Sequence, residues 1–134
     1  MLKNHLAKLL IKIISNGSCQ SQNFQAKISK SNNLVRISYD EIVENKNLST
    51  SFSVLSNNSL RITKRGDYSY DLLLKENQTT HFALNYSGYS VSYSVNTLKV
   101  KTSILDDKIE IYAHYKLISG KDSTSTKIYL TATL

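Results

Sequence analysis

The stretch Ile109-Glu110-Ile111-Tyr112-Ala113-His114-Tyr115-Lys116-Leu117, followed by Ser119-Gly120-Lys121-Asp122 and then Ile128-Tyr129-Leu130-Thr131-Ala132, decides the fold. Apolar residues take every second position on both sides of a glycine-bearing turn, the period of a half-buried β-strand. With Gly120-Lys121 as a two-residue loop, Ile111 faces Leu130 and Ala113 faces Ile128, so both apolar sets fall on one face. Glycine at the first loop position suits a type II′ turn, whose twist matches that of the strands. The same register sets Tyr112 opposite Tyr129 and His114 opposite Lys127 on the other face. A slip of one residue would turn one apolar set outward, so turn chemistry and core pattern specify the register together.

The alternation runs back along the chain. Phe24, Ala26 and Ile28 alternate with polar neighbours, as do Val35, Ile37 and Tyr39. Asn32-Asn33 between them supplies a tight turn that pairs Ile28 with Ile37 and Lys27 with Ser38. Leu48, Thr50, Phe52 and Val54 share a face, and Ser56-Asn57-Asn58 returns the chain to Leu60 and Ile62. Arg65-Gly66-Asp67 reads as a three-residue turn with glycine in the left-handed region, pairing Leu60 with Leu72, Ile62 with Tyr70 and Arg61 with Asp71. Thr80, Phe82 and Leu84 continue the inward set, and after Ser87-Gly88 come Tyr89, Val91, Tyr93 and Val95. Near Asn96 the parity changes to Leu98, Val100, Thr102 and Ile104, which requires a β-bulge or a strong bend.

At the N-terminus Leu2, Leu6, Leu9 and Ile13 stand at helical spacing, whereas Ile11 and Ile13 flank Lys12 as in a strand; a first strand is placed at about Leu9 to Ile14. The fold class is therefore all-β, a single antiparallel barrel of about 8–10 strands in meander order, because short connections exclude crossover helices and closure removes exposed edges. Residues 1–134 form one domain, since 134 residues bury a sizeable single core and fall short of two. Hydrophobic residues at 40% and charged residues at 20% are those of a folding chain, not a disordered one.

A lone cysteine, Cys19, cannot close an internal disulfide and points to a reducing, cytoplasmic address. The apolar run Leu6 to Ile14 before Asn16-Gly17-Ser18-Cys19 invites comparison with a lipoprotein cleavage site, but Lys8 and Lys12 interrupt it and Asn16 stands where an aliphatic residue belongs. No run approaches the roughly 20 apolar residues of a helical membrane span. The net charge of +7, from 17 Lys and Arg against 10 Asp and Glu, favours acidic partners, although the basic residues are scattered as on a solvated surface.

From Leu9 to the C-terminus the order of strands resembles the YwiB-like family of small bacterial proteins with a calycin-like (lipocalin-like) β-barrel. The resemblance rests on Leu60-Arg61-Ile62-Thr63-Lys64-Arg65-Gly66, on the aromatic-glycine turn Tyr86-Ser87-Gly88-Tyr89, and on the closing hairpin from Lys108 to Thr133. It implies a barrel and no particular activity. The family's glycine turn usually carries a proline, which this chain lacks.

Catalytic and cofactor signatures are absent from the sequence pattern. His5, His81 and His114 share no metal-ligand spacing with one another or with Cys19, so neither a metal nor another cofactor is expected. Carboxylates gather at Asp40, Glu41 and Glu44, at Asp67, Asp71 and Glu76, and at Asp106, Asp107 and Glu110, where loop and turn duty accounts for them, and no enzymatic activity is expected. Tyrosine is the unusual component, with nine copies against three Phe and no Trp. By parity Tyr39, Tyr70, Tyr89, Tyr93 and Tyr115 face inward, where rings and hydroxyls could either hold a small amphipathic ligand or simply fill the barrel. The candidate ligand-binding set is Tyr70, Tyr86, Tyr89, Tyr93 and Arg65. The alternative uses the outer face, with Lys99, Lys101 and Lys127 tracking the phosphates of RNA or single-stranded nucleic acid and Tyr112 and Tyr129 stacking on bases.

Overall fold

The computed structural model describes residues 3–31, 34–56 and 58–134. Ten strands follow one another as β1 (Lys3–Ser15), β2 (Ser18–Ser31), β3 (Leu34–Val43), β4 (Lys46–Ser56), β5 (Ser59–Gly66), β6 (Tyr68–Lys75), β7 (Thr79–Tyr86), β8 (Tyr89–Ile104), β9 (Lys108–Ser119) and β10 (Asp122–Thr133). Each pairs antiparallel with the next, and β1 pairs with β10 to close the barrel. The expected antiparallel meander is therefore the fold, at ten strands.

Turn chemistry sets most of the joints. Asn16-Gly17, Glu44-Asn45 and Ser87-Gly88 each place both residues at positive φ in two-residue loops, the signature of type I′ turns that suit the right-handed twist of strands. Gly120 alone is left-handed in the β9–β10 loop, and Tyr112↔Tyr129, His114↔Lys127 and Ile111↔Leu130 pair as the sequence requires. The pairs Ile28↔Ile37 and Lys27↔Ser38 also hold, while the turn residues Asn32 and Asn33 lie outside the described residues, as does Asn57.

Four expectations need correction. The first strand begins at Lys3 rather than near Leu9, because Ala7, Leu9 and Ile11 already alternate into the core; the helical spacing of Leu6 and Leu9 is incidental, with Leu6 63% exposed, and Leu2 lies outside the described residues. The β5–β6 register differs by two residues, with Leu60 opposite Leu74, Ile62 opposite Leu72 and Lys64 opposite Tyr70. Gly66 is the reason. It lies opposite Leu48 on β4, where a Cβ would fall 2.1 Å from the Asn47 carbonyl oxygen, so the glycine serves a close approach to β4 and the turn widens around it. Parity survives a two-residue shift, and Arg61 still reaches Asp71 at 3.3 Å as a diagonal neighbour.

The parity change in β8 is a register shift between Thr97 and Lys99. Leu98 is the extra residue and is exposed, not inward; Thr97 at 2% and Val100 at 1% exposure carry the inward phase across it. Finally, Tyr89 and Val91 are exposed at the tip of the β7–β8 hairpin, where the strands run past the rim and inward parity meets no opposite wall.

The interior has a direction. Inward residues run from aliphatic to polar along β3 (Val35, Ile37, Tyr39, Glu41) and β5 (Leu60, Ile62, Lys64), and from polar to aliphatic along β6 (Tyr70, Leu72, Leu74) and β10 (Thr126, Ile128, Leu130, Ala132). Antiparallel pairing brings those polar ends together. The other end is a close-packed aliphatic plug around Leu9, Ile28, Ile37, Leu60, Leu74, Ile109 and Leu130, each at 1% exposure or less.

Candidate functional site

The polar end of the barrel is built from side chains on nine strands, β2 to β10. Glu41 on β3 continues the inward series of Ile37 and Tyr39, and its carboxylate accepts the Thr50 hydroxyl at 3.0 Å and an ion-paired hydrogen bond from the Lys64 ammonium of β5. Both charges are largely buried, with side chains 17% exposed for Lys64 and 7% for Glu41. Such a pair is tolerated inside only because each charge is partnered. Glu41 thus departs from the loop role expected of it.

Beside this pair stand the tyrosines. Lys64 is the cross-strand neighbour of Tyr70, and rings follow around the wall from Tyr68 to Tyr70, Phe82 and Tyr93, with successive centroids 6.5, 5.5 and 5.3 Å apart. On the opposite wall Phe24 stacks on Tyr39 at 4.5 Å. Burial pushes the Tyr115 phenol up to about 12, a hydrogen bond with Thr126 opposing part of the rise. Burial also raises Tyr70, with neighbouring Tyr115, Tyr68, Tyr39 and Glu41 adding to it, and raises Tyr39, with Glu41 adding to it. These phenols stay protonated at neutral pH and can donate hydrogen bonds. Thr97, the cross-strand neighbour of Tyr115, is the one described residue with a buried side-chain oxygen lacking any hydrogen-bond partner.

Between the rings lies a half-open hollow of about 260 Å³, lined by Tyr68, Tyr70, Leu72, Phe82, Leu84, Tyr93, Tyr115, Leu117 and Thr126. No charged side chain lines it. It adjoins a weak seam, since β6 and β7 form just two ladder pairs, Tyr68↔Tyr86 and Ser69↔Asn85, against eight between β7 and β8. The Thr80 hydroxyl bridges part of the seam by donating to the Leu73 carbonyl at 2.6 Å.

Of the expected ligand set, Tyr70 and Tyr93 line the hollow, and three residues do not. Tyr86 is 43% exposed and accepts a hydrogen bond from the Lys46 ammonium at 3.1 Å, Tyr89 is 76% exposed at the hairpin tip, and Arg65 donates to the Lys64 and Tyr70 carbonyls on the outside of the rim. Tyr68, Phe82 and Tyr115 complete the wall; the alternation in the sequence already turns Phe82 and Tyr115 inward, and Tyr68 shares the parity of Tyr70.

The outer set is brought together. Lys101 pairs with Tyr112, Tyr112 with Tyr129 and Tyr129 with Lys12, forming one row across four strands, while Lys99, His114 and Lys127 form the next. The Tyr112 and Tyr129 rings are 4.8 Å apart at a 44° tilt, and the Lys12 ammonium lies 6.0 Å from the Tyr129 ring centre. Lys99, Lys101, Tyr112 and Tyr129 border a surface groove of about 560 Å³, which Glu76 and Glu110 also border. Among the described residues no three His, Cys, Asp or Glu side chains converge as metal ligands, and no helix is long and apolar enough to cross a membrane.

The architecture and its aromatic mouth define a small closed β-barrel with a pocket at one end. The chain belongs to the family described as a domain of unknown function (DUF1934), whose model matches residues 11–129. In structure it is similar to the ywiB protein from Bacillus subtilis, with a TM-score of 0.85 at 16% identity, covering 98% of this chain and 94% of that one. That likeness, at this identity, concerns the fold alone, and it agrees with the YwiB-like resemblance seen in the sequence. No curated protein matches the chain.

Proposed function

We propose that this protein is a non-catalytic, cytoplasmic binding protein that holds a small amphipathic molecule in the tyrosine-lined hollow. The observation that carries this reading is the hollow itself, an uncharged cleft in which aromatic and leucine side chains surround buried, protonated phenols of Tyr70 and Tyr115. Rings provide contact area and hydroxyls fix orientation, the division of labour usual in small-molecule sites. At about 260 Å³ it falls just below the usual range for drug-sized ligands, which begins at roughly 300 Å³. A compact one- or two-ring molecule suits it better than a long chain. The aliphatic plug closes the far end, so the ligand enters from the polar mouth or through the seam between β6 and β7.

Fluorescence titration with 6-propionyl-2-dimethylaminonaphthalene, an uncharged two-ring reporter, tests the reading. Saturable one-to-one binding is expected, lost in Leu84→Trp, which fills the hollow, and kept in Tyr129→Ala on the outer face. Absence of binding, or binding that Leu84→Trp leaves intact while the variant stays folded by circular dichroism, would overturn it.

A further inference from the structure

The outer face of β8, β9, β10 and β1 carries a charge imbalance that the hollow does not explain. Outward-facing positions of these strands hold Lys8, Lys12, Lys99, Lys101, Lys116 and Lys127. Among the described residues the sole carboxylate at an outward position there is Glu110, and Lys108 already engages it at 2.7 Å. Glu76, from the β6–β7 connection, lies 4.0 Å from Lys99 and offsets it in part. Lys8, Lys12, Lys101, Lys116 and Lys127 make no ion pair among the described residues. Surface lysines on a soluble barrel are ordinarily interspersed with acids, so five unmatched ammonium groups on one face form a field that attracts an anion.

The second observation is where the rings sit. Tyr112 and Tyr129 lie side by side at the centre of this field, with Lys101 on one flank and Lys12 on the other, and Tyr129 is 42% exposed. Adjacent strands are about 4.8 Å apart, so the row from Lys101 to Lys12 spans roughly 14 Å, with lysines at its ends and ring faces between. A phosphate monoanion or an acidic peptide needs the lysines and has no use for the rings. An extended polyanion that carries a flat ring on every unit uses both.

We infer that this strip binds single-stranded nucleic acid, its phosphates following Lys12, Lys101 and Lys127 and its bases stacking on Tyr112 and Tyr129. A duplex keeps its bases stacked internally and offers the rings nothing, so the strip distinguishes single strands from duplex by stacking rather than by charge.

Fluorescence anisotropy with a labelled oligothymidylate of roughly 16 nucleotides, near the upper end of single-module site sizes, tests this on the full chain. Binding is expected at low salt, with log K falling against log salt at a slope of about −2 to −3, as for three or four phosphates. Lys12→Glu/Lys101→Glu should abolish it, and Tyr112→Ser/Tyr129→Ser should weaken it by roughly tenfold or more while leaving the salt slope unchanged. Lys12→Glu/Lys101→Glu with both tyrosines intact keeps the test meaningful if the tyrosine variant does not fold. The filled-hollow variant Leu84→Trp should bind the oligonucleotide normally, which separates failure here from failure of the pocket. No binding at low salt, equal affinity for a duplex of the same length, or tighter binding to vesicles of anionic lipid would each overturn the inference.

Discussion

Gly66 shows how one residue can be misassigned by its neighbours in sequence and explained by its neighbours in space. Its φ of +146° and the 2.1 Å approach of a would-be Cβ to the Asn47 carbonyl leave no room for a side chain. Gly66→Ala should therefore destabilise the fold by about 1–3 kcal/mol, read as a lower chemical-denaturation midpoint; an unchanged midpoint would mean that β4 and β5 separate freely there. The Lys64–Glu41 pair makes a sharper case. Removing either charge leaves the other buried without its partner, so Lys64→Met should cost about 3–5 kcal/mol, and Lys64→Met/Glu41→Leu together should cost less than Lys64→Met alone. Additive losses in the double variant would contradict that account. Alkaline pH bears on the tyrosines. The phenols of Tyr39, Tyr70 and Tyr115 are raised in the folded state above their ordinary value near 10, so above pH 10 the unfolded chain releases protons that the folded chain retains. The stability they contribute is whole below pH 10 and falls as pH rises toward 12 and beyond. Tyrosine absorbance at high pH should show these rings ionising together with unfolding, not before it.

At the scale of elements, legibility depended on whether a hairpin carried its own instructions. Gly120-Lys121 and the alternation on either side of it fix the β9–β10 register locally, and every expected pair is present. The β5–β6 register was not legible in the same way, because the role of Gly66 depends on Asn47, 19 positions earlier on a different strand. Leu98 was misplaced for a related reason: composition shows that the parity of β8 changes but not which residue is left over, and the pairing with β9 decides it. The β6–β7 seam had no sequence signal at all, since both strands alternate normally and the gap arises from how they diverge. Its short ladder leads us to expect amide exchange across the seam, in Tyr70–Leu74 and Thr80–Leu84, to be faster than in β9 and β10. A ligand in the hollow touches both sides of the seam, so 6-propionyl-2-dimethylaminonaphthalene should slow that exchange selectively. Uniform protection around the barrel would contradict the seam.

Across the whole molecule, the sequence determines which residues point inward but not whether anything stands opposite them. The ten-strand meander and its closure follow from alternation and short turns, so the barrel was legible throughout. The candidate site was legible in part, with Tyr70 and Tyr93 found and Tyr86, Tyr89 and Arg65 placed outside because the rim lies lower than the hairpin tips. The polar end can be read only once the strands are aligned, when Tyr39, Glu41, Thr50, Lys64, Tyr70 and Tyr115 converge from separate stretches of chain. A close-packed aliphatic plug fills one end of the barrel, and the proposed ligand site is the tyrosine-lined hollow at the other, beside the Glu41–Lys64 pair. Native mass spectrometry of the 15.1 kDa chain after incubation with a mixture of small cellular metabolites tests that claim most directly. The account expects a one-to-one adduct of defined mass on the wild type that disappears in Leu84→Trp; only the bare chain in both, or an adduct that Leu84→Trp retains equally, would contradict it.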